Sequence, residues 1–271
     1  MPVNRQLFEE PFSKSHMPSW HCPSCTGGYL RLKAESLHAL QTSESLKAQD
    51  HEAWDADWVI LRFSALLQCN NDSCSESVGV TGRGRVEIVQ TSAYDGEYVE
   101  FFYPEYFNPS PSLIALPHSC PEEVTAEIKR AFVASWGDCP AAVNRIRAGV
   151  ERLLDFLKEP KTKINRKGAR ERISLHNRIV ALGARDRALS DSLLAIKWLG
   201  NVGSHSDAVS RSDVFDALDI LEIVLDELFI KHRKRVTELV SAINKKKGPY
   251  SRPSKKTSRT ATKRVRRKSS P

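Results

Sequence analysis

Four cysteines stand in two pairs whose spacing suits metal binding. Cys22-Pro23-Ser24-Cys25 is followed by Thr26-Gly27-Gly28, and Cys69-Asn70-Asn71-Asp72-Ser73-Cys74 comes much later. A C-x-x-C turn can aim two thiolates at one ion, and the glycines behind it let backbone amides approach the sulfurs. Two such turns brought together give a four-thiolate site, the plan of a zinc ribbon. Thiolates favour zinc over magnesium or calcium. A closed set of this kind leaves no position for water, so the zinc is expected to be structural. The alternatives are a ribbon without metal or free thiols. A thioredoxin-like pair fits less well, because no βαβ pattern surrounds Cys22. His21 adjoins Cys22 and is a poor fit for the same ion. Cys120 and Cys139 lie at expected helix starts, where a thiol pKa can fall; the plainer alternative is a pair of ordinary buried or half-buried thiols.

A second group of chemically able residues is Lys197-Trp198-Leu199-Gly200-Asn201-Val202-Gly203-Ser204-His205. Metal-independent RNA cleavage needs an acid/base, a cation for the phosphorane charge, and a group that holds or orients. His205, Lys197 and Asn201 could fill those roles, with Glu151 orienting the imidazole. The same residues also have structural uses. Gly200 and Asn201 can cap a helix, His205 can bond across a bundle, and Glu151 lies four residues from Arg147, the spacing of a same-face ion pair.

Charge is unevenly placed. The chain has 271 residues and a formal charge of +8, yet 12 of its 41 Lys and Arg lie in residues 245–271, which contain no Asp or Glu. The other residues hold 29 basic against 33 acidic side chains, a net −4. The tail clusters are Lys245, Lys246 and Lys247, then Lys255 and Lys256, then Arg264, Arg266, Arg267 and Lys268. Such an arm binds phosphate backbones without reading sequence, so a nucleic-acid partner, RNA or DNA, is expected. The tail lacks the apolar content to order itself and is expected to be disordered. No run of apolar residues is long enough for a membrane helix, and the first residues lack an apolar run, so no secretory signal is expected. A cytoplasmic location is expected.

The elements that must position these groups give an α+β chain. Residues 1–15 read as a flexible leader, and 16–110 as a β-rich, zinc-ribbon-like domain. Its strand-like runs are 58–63, 77–81, 85–89 and 98–102, with Gly82 and Gly84 reading as a hairpin turn. Asn108-Pro109-Ser110-Pro111 reads as a crossover. Residues 116–244 then read as a helical bundle. Pro121 and Asp138 open its first two helices, and Val143, Ile146, Val150, Leu153 and Leu157 recur at helical spacing. Residues 170–182 and 190–199 are expected helices capped by Gly183 and Gly200. Ser210 and Asp213 form the capping box of a long last helix running to Leu228.

Several of these pieces together carry a resemblance. They are Cys22-Pro23-Ser24-Cys25, Cys69 to Cys74, Tyr106-Phe107-Asn108-Pro109, Leu116-Pro117, the run Asn144 to Leu154, and Leu199-Gly200-Asn201-Val202-Gly203-Ser204-His205. From about Ser15 to Phe229 the chain resembles the bacterial domain-of-unknown-function family forty-one forty-five. The resemblance implies a helical part similar to HEPN domains, bundles that often form homodimers. Some HEPN proteins are ribonucleases in prokaryotic defence systems, and related domains are appended to restriction-system subunits. HEPN nucleases place an Arg about one helical turn before a His, commonly with Asn beside the Arg. Here Asn201 and His205 match, Gly200 stands where the Arg would, and Lys197 is the nearest upstream cation. A nucleic-acid-associated binding module is therefore expected ahead of an endoribonuclease or a purely interacting subunit of a defence or restriction complex.

Overall fold

A computed structural model describes residues 3–25, 27–90, 95–202, 209–230 and 232–248. The chain is α+β, a β-rich N-terminal part followed by helices, and residues 1–230 form one compact unit. The two expected domains therefore share a core.

The sheet is antiparallel, with strands β1 (Leu30–Leu32), β2 (His38–Gln41), β3 (Ile60–Cys69), β4 (Ser77–Gln90) and β5 (Gly96–Asn108). Its order is β1-β3-β4-β5, and β2 pairs the same edge of β3 as β1, nearer its start. The alternation in β3 is regular: Leu61, Phe63, Ala65 and Leu67 are buried and their neighbours face outward, as a half-buried strand requires. The hairpin turn expected at Gly82 and Gly84 does not form. β4 runs straight through both, with a bulge between Thr81 and Gly82. A Cβ on Gly82 would strike the Tyr103 carbonyl and come within 3.0 Å of the Phe63 ring. The glycine admits close approach of the next strand rather than a reversal.

The expected flexible leader is also corrected. Residues 3–15 clasp both parts of the unit. A one-turn helix, α1 (Gln6–Glu9), buries Phe8 against Trp136 and Phe215. Phe12 is fully buried and exchanges two backbone hydrogen bonds with Phe102 (3.0 and 2.7 Å). Arg5 pairs with Asp216 at 2.5 Å, and the Val3 amide donates to Asp219 at 2.6 Å. The sequence signal was there in Phe8 and Phe12, apolar residues too large to leave in water.

After a short helix α2 (Ser43–Ala48) inside the β-rich part, the helical part holds α3 (Glu122–Ala134), α4 (Cys139–Phe156), α5 (Leu175–Leu182), α6 (Arg187–Val202) and α7 (Arg211–Leu225). The Asp138 side chain caps α4 by accepting from the Ala141 amide at 2.8 Å. Its stripe Val143, Ile146, Val150 and Leu153 is at most 1% exposed. Each such residue contributes roughly 1.5–3 kcal/mol by leaving water. Gly149 lets α3 approach, its missing Cβ lying 3.5 Å from Ile128. Residues 170–182 are not one helix. Two strands, β6 (Thr162–Ile164) and β7 (Arg170–Arg172), pair there, turned by Gly168 at φ +78° and by Asn165, whose side chain accepts from the Lys167 and Ala169 amides. Helix α5 starts only at Leu175, capped by Ser174. Gly183 caps it as expected, whereas Gly200 lies inside α6, buried beneath Arg147. The Ser210–Asp213 capping box forms. Helix α7 ends at Leu225, and Asp226–Ile230 form a π turn.

The two parts are welded by Trp136. Its ring lies 4.3 Å from Phe107 and 6.2 Å from Trp20, centre to centre, and its Nε1 donates to Ser110 Oγ at 3.0 Å. Beyond this unit a second one contains α8 (His232–Lys246). The helix carries Lys245 and Lys246 in its last turn, so the expected onset of disorder at 245 falls within regular structure. Among the described residues no helix is long and apolar enough to cross a membrane.

Candidate metal centre

The sheet register builds the cysteine site. Leu30 of β1 pairs with Cys69, the last residue of β3. One residue further, Asn70 and Tyr29 join the two cysteine turns: the Asn70 amide donates to the Tyr29 carbonyl (2.9 Å) and the Tyr29 amide to Asn70 Oδ1 (2.8 Å). The turn after Cys69 closes with the Cys74 and Ser75 amides donating to the Asn71 carbonyl, both 2.9 Å, with Ser75 at φ 49°. The other turn closes by the Cys22 amide donating to the Gly28 carbonyl at 2.9 Å.

The result brings Cys22, Cys25, Cys69 and Cys74 together, their sulfurs all within 4.8 Å of one another. Cys22 and Cys74 are 3.8 Å apart, and Cys25 and Cys69 3.6 Å. A tetrahedral zinc–thiolate site with bonds of about 2.3 Å has sulfur–sulfur edges of about 3.8 Å, so the cluster has the right size for one ion. The Ser24 amide donates to Cys22 and the Asn71 amide to Cys69, each at 3.4 Å. Bonds of this kind steady thiolate charge and fix the ligands. Gly28 is required: a Cβ there would strike Cys69 Sγ and lie 2.9 Å from Cys25 Sγ. Burial raises the Cys25 thiol, but the amides of Gly27 and Gly28 and the neighbouring thiols outweigh it and bring it down to about 7. Burial pushes Cys22 and Cys69 up. Four thiols this close cannot all ionise without a cation to balance them. His21 is no part of the cluster; its ring stacks on Tyr29 at 4.9 Å.

Sequence reasoning found the four sulfurs but missed three supports. Asn70 joins the turns, the Asn71 side-chain Nδ2 donates to Cys25 Sγ at 3.7 Å, and the Ser24 hydroxyl donates to Glu76. The Asn-Asn pair inside the second cysteine motif was the available signal, since Asn favours such turns.

Cys120 is buried and its pKa is pushed up to about 11 by that burial; Cys139 is raised for the same first reason. Cys120 fits the buried alternative and Cys139 the half-buried one; neither thiol is lowered by its helix start.

The second candidate group is divided. Lys197 and Asn201 lie one turn apart on α6, and Lys197 Nζ sits 3.4 Å from the centre of the Trp198 ring. Glu151 of α4 is flanked by Arg147 (3.6 Å) and Arg172 (3.8 Å), the ion-pair alternative. His205 lies outside the described residues, as do Lys255, Lys256, Arg264, Arg266, Arg267 and Lys268; Lys245, Lys246 and Lys247 are described.

No curated protein and no solved structure matches the chain. Residues 10–108 match the family model described as Domain of unknown function (DUF8608), so the cysteine pairs lie in a stretch with its own family model. Residues 129–247, from within α3 to the residue after α8, match the model described as Domain of unknown function (DUF4145). The helical part is thus similar to the DUF4145 family and the stretch ahead of it to DUF8608.

Proposed function

We propose that this chain is a non-catalytic, nucleic-acid-associated module whose β-rich part is held together by a structural zinc. Cys22, Cys25, Cys69 and Cys74 hold the ion in the manner of a zinc ribbon, and the basic arm supplies sequence-independent contact with phosphates. The observation that carries the zinc is the edge length of the sulfur cluster, with four sulfur donors and no carboxylate or imidazole among the described ligating groups. A closed four-thiolate ion anchors structure and offers no open position for reaction. The arm rests on the segregation of charge, a net −4 body against a tail of 12 cations. The engagement of Glu151 by two arginines and of Lys197 by Trp198 supports binding over RNA cleavage.

The test has two parts. Metal analysis should find one zinc per chain. RNA and DNA binding, titrated with salt, should weaken steeply as salt rises, and more weakly once residues 245–271 are removed. Salt-independent binding, or equal binding by the shortened chain, overturns the arm. Incubation with mixed RNA in EDTA should leave the RNA intact. Cleavage lost in His205→Ala would instead establish the endoribonuclease, and neither binding nor cleavage would leave an interacting subunit of a larger complex.

A further inference from the structure

The outward face of the sheet carries a pattern that packing does not require. Leu40, Arg62, Arg83 and Tyr103 form one row across β2, β3, β4 and β5. Arg62 and Arg83 are directly opposed, and Arg85 follows two residues along the same face. Like charges opposite one another on neighbouring strands destabilise a sheet, so the arrangement costs stability unless an anion lies across it. Arg85 leans on Glu87 at 2.5 Å and Arg83 on Glu105 at 3.5 Å. Among the described residues Arg62 has no carboxylate partner. Aromatic rings lie among the cations. The guanidinium carbons of Arg83 and Arg85 are 5.7 and 5.0 Å from the centre of the Tyr103 ring. In the next row Tyr106, opposite Thr81, is 48% exposed.

We propose that this face docks single-stranded RNA, with Arg62, Arg83 and Arg85 meeting phosphates and Tyr106 and Tyr103 stacking on bases. Interleaved cations and ring faces match a strand whose charges and flat bases alternate. Splayed, unstacked bases can lie flat on such an open face and stack on its rings. The Thr81 hydroxyl donates across to the Phe63 backbone carbonyl of β3 at 2.8 Å, which leaves its oxygen able to accept. A ribose 2′-hydroxyl can donate to it and deoxyribose cannot. The inference rests on the nucleic-acid reading above and deepens it, since it places a strand on the sheet as well as on the arm.

The test is fluorescence anisotropy of the full-length, metal-loaded protein with a short labelled RNA of mixed sequence. Tyr106→Ala should weaken binding about tenfold, the loss of one stacked base. The triple variant Arg62→Gln, Arg83→Gln, Arg85→Gln should flatten the salt dependence by about two units of slope, while melting no lower than the parent. The DNA of the same sequence should bind more weakly, and the annealed duplex should not use the tyrosine. Unchanged affinity and slope in both sheet variants overturn the proposal, as does displacement of the RNA by an acidic peptide or anionic vesicle that is itself sensitive to Tyr106→Ala. A full-length control with Lys255, Lys256, Arg264, Arg266, Arg267 and Lys268 changed to Gln separates the two readings. Binding lost there but kept in the sheet variants leaves the arm and discards the sheet; the reverse discards the arm; no binding by the parent discards both.

Discussion

Removing the ion from the four-cysteine centre should loosen the end of the sheet where β1 and β3 meet. The two cysteine turns are otherwise joined there mainly by the pair of hydrogen bonds between Tyr29 and Asn70, each worth about 1 kcal/mol net. A bound zinc would do more, because it would close a long loop. Cys25 and Cys69 are 44 residues apart. Treated like a covalent cross-link, that closure removes about 4 kcal/mol of unfolded-chain entropy at 25 °C. For a unit of this size 1 kcal/mol moves the melting temperature by about 2–4 °C, so a chelator should lower it by about 8–16 °C. The assay is a thermal melt followed by circular dichroism, with zinc release read by a chromogenic chelator in the same sample. Cys69→Ser should melt near the chelated parent and gain nothing from added zinc. Gly28→Ala should lose the ion with all four ligands intact, because its Cβ would occupy the space of the Cys69 and Cys25 sulfurs. A protein purified without metal, whose melt is unmoved by chelator and by Cys69→Ser, would refute the reasoning.

Trp136→Ala should cost about 3–5 kcal/mol and destabilise sheet and helices together, because its ring touches Trp20, Phe107 and Phe8; urea unfolding followed by near-UV and far-UV circular dichroism should still coincide, and separate transitions would contradict the shared core. Arg178→Met should cost about 2–3 kcal/mol, since the buried guanidinium donates to Asp155 (2.8 Å) and to the Glu159 carbonyl (3.0 Å); a neutral result in the same unfolding assay would show that relaxation satisfies both acceptors. Acid should destabilise the fold in a defined window. Burial opposes ionisation of Asp155, but Lys161 and Arg178 hold it below the ordinary carboxylate value, and the Ser210 side chain holds Asp213 there as well. The unfolded chain then binds more protons than the fold, so their contribution is complete above about pH 4 and is lost as pH falls below it. Ser210→Ala should remove about 1 kcal/mol near neutrality and flatten that acid limb; parallel urea midpoints of parent and variant across the range would count against it.

The elements legible in sequence were those set by near neighbours. The α4 stripe, the Asp138 cap, the Ser210–Asp213 box and the two cysteine turns depend on side chains within a turn or two, so their spacing carries the information. Gly82, Gly84 and Gly200 were misread because a glycine that admits a neighbouring strand or helix looks the same in one dimension as a glycine that turns the chain. The leader was misread for a related reason: a short segment with two large rings is ordered only because Phe102, Trp136 and Phe215 are waiting for them.

By itself the sequence determined that four thiols in two turns were available, that helices follow strands, and that positive charge collects at one end. Only the tertiary structure decided that Cys22, Cys25, Cys69 and Cys74 converge on one point, through the pairing of β1 with β3. It likewise decided that Arg62, from one strand, faces Arg83 of the next. The reason is register: hydrogen bonding between strands distant in the chain fixes which side chains become neighbours, and no local spacing encodes that choice.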